Sequence, residues 1–534
     1  MFSSSAGPGG VRWLQPVQRR RRRRIPVVPI LALVALLAVA AGGYAVVRAR
    51  DSAGDPSRAI AQRFADAWAR GDVEGAWRLT TARTRADQPL AGFKQSIRQA
   101  ARAATVTAMR VGHAGEPRNG RVPVPVVVET RLFGEQRGTI AFPVERTGDT
   151  ARVGWSPELR LPGLRAGERV HRRVLRQPRR ASVLAADGRR LSRSASASAL
   201  VAGVEERYAG RLRGRPGAEL RYGSRVIAKV AMVPGRSVRT TIRPSLQSAA
   251  TSALGDRVGG VAVVRPRNGD VLALAGLAVS GPQPPGSVFK IITLAAALEA
   301  GKTEPGESFP VRTAATLEGV QLRNAGDEAC GGSLTQSFAH SCNSVFGPLG
   351  ARLGARRLVR FAEAFGFNEK LPIPGFKPST IPHDLADDLA VGASAIGQDR
   401  DLATPLAMAS VGATIANRGV RHRPRLVRSE ERAHRRVVKP RVAAQVREMM
   451  LEVVRSGTGT SAALPGVEVA GKTGTAELVP TADAGSNPAN TDAWFVAFAP
   501  ASSPDVAVAV MLVGAGQGGA SAAPIAREVL AAAL

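Results

Sequence analysis

An uncharged run of 23 residues near the N-terminus, residues 25–47, limits how the rest of this chain can fold. A helix rises about 1.5 Å per residue, so a helix of this length crosses the ~30 Å hydrocarbon core of a bilayer. Six consecutive arginines at 19–24 precede the run, and a smaller positive flank follows it. The heavier flank stays in the cytoplasm, which predicts a single-pass anchor with residues 1–24 inside and the rest of the chain outside.

A cleaved signal peptide is the alternative interpretation of this segment. The apolar region of a signal peptide is shorter, about 7–15 residues, and ends at a site of small residues. Small residues at 40–43 leave cleavage open. Under either interpretation the remaining chain lies outside the cytoplasm, where disulfides form and persist.

The net charge of +32 raises the question of an anionic partner. The 74 basic residues are spread along the chain, and no stripe of aromatic and basic residues or recognised DNA- or RNA-binding motif accompanies them. Nucleic acid is therefore not expected as a partner, whereas anionic membrane lipid and an anionic cell wall fit the charge. The six histidines and two cysteines show no ligand spacing, so neither a metal nor a cofactor is predicted.

Hydrophobic periodicity divides the exported part into three predicted segments. Helical spacing followed by several alternating runs predicts a small α+β module over 56–163, with the role of a spacer or docking module. Residues 164–243 are basic and strand-poor, which indicates a linker or dimerisation-type domain. Residues 244–534 combine early strands, long central helices and late strands in a mixed α/β pattern, so the two ends of this domain must meet in one sheet.

A serine and a lysine three positions apart open an apolar helix in this last domain. Pro285 and Gly286 interrupt the preceding structure, and the spacing places Ser287 and Lys290 on one helical face. Desolvation lowers the pKa of an ammonium group, and a neutral lysine can accept the proton of a serine hydroxyl. An N-cap serine followed by a surface lysine is the alternative interpretation.

Two further patterns lie downstream of this helix. Ser341 and Asn343 are two positions apart, so in a turn or strand both can face one site. The run Lys-Thr-Gly-Thr at 472–475 follows a short apolar strand. Gly474 would let an extended substrate lie against the strand edge, while Lys472 and the hydroxyls could bind a terminal carboxylate. Taken singly, each pattern is also typical of a cap or a surface turn.

The combination of the three patterns is more informative than any one of them. Only Lys290 has a serine three positions earlier, and no other Ser-x-Asn or Lys-Thr-Gly occurs in the chain. The patterns follow one another in one predicted domain, 54 and then 131 residues apart. This trio characterises serine β-lactamases and penicillin-binding proteins.

With these motifs the chain resembles the class B penicillin-binding proteins. The likeness covers most of 244–534 and includes further segments, at 397–398, 403–409, 415–419, 456–459 and 492–496. Residues 56–163 are similar to the cone-shaped, nuclear-transport-factor-like α+β module of the methicillin-resistance type. The resemblance implies a multidomain α/β (α+β) fold whose transpeptidase domain has a central antiparallel sheet flanked by helices, as in serine β-lactamases.

The resemblance also implies an activity and a role for each motif residue. The enzyme would be a peptidoglycan D,D-transpeptidase that acts on stem peptides ending in D-Ala-D-Ala and is inactivated by β-lactams. Ser287 would be the nucleophile, with Lys290 as its general base. Ser341 would pass a proton to the leaving amine, and Asn343 would hold Lys290 and the substrate amide. The substrate-binding residues would be Lys472, Thr473, Gly474 and Thr475.

The two cysteines, Cys330 and Cys342, stand twelve positions apart, and the second lies inside the Ser-x-Asn motif. A bridge between them would close a short loop, stabilise the fold by about 3 kcal/mol and pin Ser341 and Asn343. Two buried thiols are the alternative.

Three other functions remain open at this stage. A serine β-lactamase shares the motifs but needs neither an anchor nor extra domains. A D,D-carboxypeptidase differs only in using water as the acceptor. A non-catalytic β-lactam sensor or scaffold would need a signalling domain in the cytoplasm, for which residues 1–24 are short. Because no glycosyltransferase segment is recognised in the chain, dependence on a separate polymerase is expected.

Overall fold

The computed structural model describes residues 55–191, 197–478 and 487–534. The predicted cytoplasmic tail and membrane anchor, residues 1–24 and 25–47, lie outside these residues. No helix in the described part has both the length and the apolar content that a membrane crossing requires.

The helices of the described residues are, in chain order, α1 (Pro56–Ala69), α2 (Val73–Arg78), α3 (Ala82–Asp87), α4 (Leu90–Ala104), α5 (Ser198–Arg207), α6 (Ala209–Arg213), α7 (Pro244–Leu254), α8 (Lys290–Glu299), α9 (Leu334–Ala339), α10 (Asn343–Leu353), α11 (Ala355–Phe365), α12 (Asp388–Ala395), α13 (Pro405–Ala416), α14 (Pro440–Arg455) and α15 (Gly518–Ala533).

The strands of the described residues are, in chain order, β1 (Val106–Val111), β2 (Arg121–Thr130), β3 (Gly134–Thr147), β4 (Thr150–Val153), β5 (Val170–Arg176), β6 (Val183–Leu184), β7 (Gly217–Tyr222), β8 (Arg225–Val230), β9 (Val238–Arg239), β10 (Gly259–Val264), β11 (Val271–Gly276), β12 (Ser308–Arg312), β13 (Ala314–Leu317), β14 (Val320–Arg323), β15 (Cys330–Ser333), β16 (Val420–His422), β17 (His434–Arg436), β18 (Ala470–Glu477), β19 (Thr491–Ala499) and β20 (Val506–Leu512).

The chain forms two compact units, and it passes between them more than once. One unit contains the described residues up to Arg176 together with 217–231, and the other contains 177–216 and 232–534. The segment expected as a linker domain, 164–243, is thus divided between the two units.

The first unit packs helices against an antiparallel sheet of order β1-β2-β3-β4. Valines alternate along β2, at 122, 124, 126 and 128, and all four are buried on the face that meets the helices. On the helical side the Phe64 ring lies edge-on to Phe142, with the centroids 5.1 Å apart. Asp55 accepts a hydrogen bond from the Ser57 N–H (2.8 Å) and so caps α1.

The unit also contains a second sheet, of order β5-β7-β8, in a region that the sequence predicted to be poor in strands. The sequence predicts a hairpin over 218–232, which fits the pairing of β7 and β8, whereas β5 was missed. Six of the seven residues of β5 are exposed, and four of the seven are arginine or histidine. Because cationic residues occupy both faces, the strand lacks the period-two pattern on which prediction depends.

The second unit is built around a five-stranded antiparallel sheet of order β11-β10-β20-β19-β18. Strands from the two ends of the domain therefore meet, with Val261 of β10 opposite Val510 of β20. Every residue of β19 and β20 is buried. Helices α8 and α13 belong to the core on one face, and α7 and α15 to the core on the other. This covering of both faces explains why these strands are continuous apolar runs.

A buried ion pair fixes the turn between β10 and β11. Arg425 lies between β16 and β17, and its Nη2 is 2.7 Å from Asp270 Oδ1, with the two side chains only 5% and 8% exposed. Asn268 donates a second hydrogen bond to the Asp270 carboxylate (2.9 Å). The pair joins the early strands of the domain to a segment more than 150 residues later.

We expect Asp270→Ala to lower the free energy of unfolding by about 3–5 kcal/mol, because it leaves the Arg425 charge buried without a partner. Urea denaturation of the purified chain measures this loss. The matched control is Glu468→Ala, which removes an exposed ion pair with Arg455 and should cost less than about 1 kcal/mol. Equal losses in the two variants would contradict the role given to the buried pair.

Candidate active site

A tight turn holds Ser287 against the edge strand of the second unit. Ser287 lies in a 3-10 turn (Gly286–Phe289) that continues directly into α8. Gly286 has a φ of +53°, and a Cβ atom there would lie 2.7 Å from the carbonyl oxygen of Thr475. The Gly286 N–H donates to the carbonyl of Gly397 (2.8 Å). Only glycine at position 286 allows so close an approach to β18.

The first residue of α8, Lys290, is fully buried behind this turn. Its Nζ donates to the Ser341 carbonyl and to Asn343 Oδ1, both at 2.6 Å, and lies 3.3 Å from Ser341 Oγ. Burial holds the pKa of Lys290 well below its ordinary value, and the nearby Lys472 lowers it further. A neutral amine keeps two N–H donors for these acceptors and retains a lone pair for a hydroxyl proton.

A second buried lysine approaches the same hydroxyl from β18. Lys472 Nζ donates to Ser341 Oγ (2.8 Å) and to the Thr473 carbonyl (3.1 Å). The nitrogen also lies 5.4 Å from the centre of the Phe338 ring. Burial lowers the pKa of Lys472 to about 7. Ser341 Oγ is therefore the point at which the two lysines meet.

The segment that carries Ser341 is held in an uncommon backbone conformation. Ser341 has a φ of +64°, in the left-handed region that a residue with a side chain rarely occupies. Asn343 begins α10, and its Nδ2 donates to the Arg323 carbonyl (2.7 Å). Cys342, between the two, forms a disulfide with Cys330 at the start of β15. The bridge ties the Ser-x-Asn segment to a neighbouring strand.

The edge strand β18 forms one wall of a cavity of about 240 Å³. Thr473 and Thr475 face this cavity. Thr458 Oγ1 and Thr473 Oγ1 share a hydrogen bond (2.6 Å), and the Gly518 N–H donates to Thr475 Oγ1 (3.4 Å). A Cβ at Gly474 would lie 2.9 Å from the Pro285 carbonyl, so this glycine lets the 3-10 turn that carries Ser287 pack on the strand.

The structure brings all eight predicted site residues together. Six of them line the cavity: Ser287, Ser341, Asn343, Thr473, Gly474 and Thr475. Lys290 and Lys472 lie in the wall behind it and reach it through Ser341.

The cavity is also lined by polar residues that the sequence motifs did not point to, among them Gln398, Thr458 and Glu477. Glu477 follows Thr475 by two positions on one strand, and this period-two spacing was the signal available for it. Thr458 and Gln398 lie in segments that the resemblance had marked, but neither shows a spacing that points to the site. No group of three or more His, Cys, Asp or Glu side chains in the described residues is arranged to hold a metal ion.

The sequence profile of the penicillin binding protein transpeptidase domain matches residues 259–531, which include all of these side chains. The chain belongs to the penicillin-binding protein transpeptidase family. The predicted resemblance to class B penicillin-binding proteins is thereby confirmed.

Individual members of the family show how far the likeness extends. This penicillin-binding protein is 37% identical over 367 residues to the peptidoglycan D,D-transpeptidase PbpA of Mycobacterium tuberculosis, covering 56% of this chain and 73% of the relative. A solved structure from Eggerthella lenta, the D,D-transpeptidase domain of a peptidoglycan glycosyltransferase, shares 29% sequence identity with this chain at a TM-score of 0.57. The match covers 67% of this chain and 99% of that one. The structure of penicillin-binding protein A from Mycobacterium tuberculosis as its penicillin G acyl-enzyme shares 32% sequence identity with this chain, at a TM-score of 0.52. The match covers 66% of this chain and 91% of that one.

The two lysine pKa values predict a bell-shaped pH dependence for acylation. Lys290 must be neutral to act as a base, so acylation should fall as the pH drops through its lowered pKa. Lys472 must be charged to attract a carboxylate, so acylation falls as the pH rises through about 7. The measurement is the second-order rate constant for acylation by a carboxylate-bearing β-lactam across the pH range.

The matched variant for this prediction is Lys472→Arg, because arginine keeps its charge throughout. We expect the alkaline limb to disappear in this variant while the acid limb remains. An alkaline limb that stays near pH 7 in Lys472→Arg would assign that limb to another group.

The disulfide is expected to support catalysis as well as stability. In Cys330→Ala/Cys342→Ala the free energy of unfolding should fall by about 3 kcal/mol, because the short loop is no longer closed. Acylation should also slow, because Ser341 and Asn343 flank the lost bridge. Reductant should slow acylation of the wild type and leave the acylation rate of the alanine variant unchanged. If the wild type and the variant are acylated at the same rate without reductant, the disulfide does not position the site.

Proposed function

We propose that this chain is a serine D,D-transpeptidase that cross-links peptidoglycan through an acyl-enzyme on Ser287. The observation that carries the proposal is the meeting of two buried lysine nitrogens at Ser341 Oγ, in the wall of the cavity that Ser287 lines. Membership of the transpeptidase family supports the proposal. A relative whose structure was solved as a penicillin G acyl-enzyme complex supports it as well.

Acylation follows from this arrangement. Ser287 Oγ attacks the carbonyl of the penultimate D-Ala, and Lys290 accepts the hydroxyl proton. The oxyanion is bound by the backbone N–H groups of Ser287 and Thr475, and donors of this kind contribute about 3–4 kcal/mol each. Ser341 passes a proton to the leaving amine, so that terminal D-Ala departs neutral at its nitrogen. Lys472 attracts the substrate carboxylate along Thr473 and Thr475.

The molecule that accepts the acyl group from Ser287 decides between transpeptidase, carboxypeptidase and β-lactamase activity. An amine of a second stem peptide that attacks the ester forms a cross-link, whereas water releases the shortened peptide. A D,D-carboxypeptidase and a β-lactamase would both use water, and the lactamase would do so quickly. The family assignment favours the amine.

The wider organisation is part of the same proposal. Residues 25–47 would anchor the chain in the cytoplasmic membrane, with residues 1–24 inside and the catalytic domain, 244–534, outside. The α+β module, 56–163, would serve as a nuclear-transport-factor-like spacer, and 164–243 would join it to the catalytic domain. A separate glycosyltransferase polymerase would supply the glycan strands, with no nucleic acid involved.

A fluorescent penicillin tests the proposal directly. We expect the wild-type chain to form a covalent adduct that persists for hours, because a transpeptidase would use an amine and not water as its acceptor. Ser287→Ala should form none, whereas the control Ser280→Ala, which changes an exposed serine shortly before the nucleophile turn, should label like the wild type. An adduct that disappears within seconds would identify a β-lactamase, and labelling of Ser287→Ala would refute the assigned nucleophile.

A further inference from the structure

The loop between α12 and α13 holds the turn that carries Ser287. Within this loop, the Gly397 carbonyl accepts a hydrogen bond from the Gly286 N–H (2.8 Å). Farther along the loop, Ala403 exchanges two backbone hydrogen bonds with Gln283, at 2.7 and 2.9 Å. The loop therefore contacts the chain at two points just before Ser287, so the shape of the loop sets where the turn can lie.

A hydrogen bond between two buried side chains closes this loop. Ser394 Oγ donates to Asp401 Oδ1 (3.2 Å) across seven positions of the chain, and neither residue is exposed to solvent. Between these two residues, the N–H groups of Gly397 and Gln398 donate to carbonyls at the end of α12, and Gln398 lines the cavity. The part of the loop that contacts the turn thus lies inside the span that this one side-chain contact closes.

The Asp401 side chain has no other partner in the described part of the chain. Its second oxygen, Oδ2, is buried and forms no hydrogen bond. The adjacent cation, Arg400, lies 3.1 Å from an oxygen of Asp384 and 3.5 Å from one of Asp399, and these residues are exposed. Burial raises the pKa of Asp401 well above its ordinary value. A neutral acid therefore fits this place as a hydrogen-bonding group, whereas a buried charge with a single hydrogen bond would be costly.

A buried polar contact that only stabilises the domain is the alternative to a role in catalysis. Gln247 provides an example, because its side chain exchanges two hydrogen bonds with the backbone of Leu274 on β11. Strand β11 is the edge of the sheet opposite β18. Asp401 differs from Gln247 because the segment that it closes reaches the turn of Ser287.

We propose that the hydrogen bond between Ser394 and Asp401 positions Ser287 for acylation, by fixing the loop that binds the turn. The inference rests on the proposed function, because it takes Ser287 as the nucleophile. Asp401 is a positioning residue, which acts through the carbonyl of Gly397 and does not touch the reacting atoms. Its role needs the shape and the acceptor oxygen of the side chain, and asparagine supplies both without a charge.

Two substitutions at position 401 test this role in the purified full chain in detergent. The measurement is the second-order rate constant for acylation by a fluorescent penicillin, expressed per site that is labelled at completion, so that unfolded protein does not contribute. Asp401→Ala should lower this constant by roughly tenfold to a hundredfold, because a small misplacement of a reacting group has effects of that size. Asp401→Asn should restore acylation to near the wild-type rate.

A double-mutant cycle tests whether the two side chains act as one contact. Ser394→Ala should slow acylation by a factor similar to that of Asp401→Ala, and it carries the same expectation if the latter does not fold. The double variant should be no slower than either single variant, because both substitutions remove the same hydrogen bond. Losses that multiply in the double variant would contradict a shared role.

Gln247→Ala is the matched control, because it removes buried hydrogen bonds at the opposite edge of the sheet. This variant should lose stability toward urea and keep its acylation rate per labelled site. A wild-type acylation rate in Asp401→Ala, or a rate in Asp401→Asn as low as that of the alanine variant, would overturn the inference. A wild-type chain that forms no penicillin adduct on Ser287 would instead count against the proposed function.

Discussion

The active site depends on the desolvation of two amines beside one hydroxyl. Water would keep both lysines charged, and a charged Lys290 could not accept a proton. The second unit excludes water by covering both faces of its sheet and by placing α8 with its first residue fully buried. Lys472 comes from the edge strand and reaches Ser341 from the other side. Two close cations in a dry site disfavour each other, so burial favours the state in which only one of the two lysines is charged.

Close backbone contacts set the position of the turn that carries Ser287. A Cβ at Gly397 would lie 2.1 Å from the carbonyl of Gly286, and one at Gly518 would lie 2.4 Å from the carbonyl of Gly474. The turn, the strand and the start of α15 thus meet without side chains between them. Packed interiors leave no room to absorb such atoms, so these glycines define the depth of the cleft.

Sequence patterns anticipated the residues of the site because three short motifs are rare in combination, and they anticipated the sheet because buried strands are long apolar runs. Other features have no such signal. The left-handed φ of Ser341 belongs to a residue type that usually avoids it, and the burial of Lys472 depends on helices distant in sequence. Glu477 and Thr458 are single polar residues that only the fold brings to the cavity. In β5, arginines on both faces concealed the strand period. The membrane anchor stays a prediction, since it lies outside the described residues.

Cys342 lies between Ser341 and Asn343, so the order of the site depends on whether the disulfide to Cys330 has formed. Disulfides are rare where glutathione keeps thiols reduced and persist in oxidising compartments. A newly made chain with free thiols would therefore hold its Ser-x-Asn segment less firmly, although Ser341 must keep a positive φ there. Oxidation would then complete the site as a step of maturation. Under the export that the sequence predicts, the site would be completed only after the chain has left the cytoplasm.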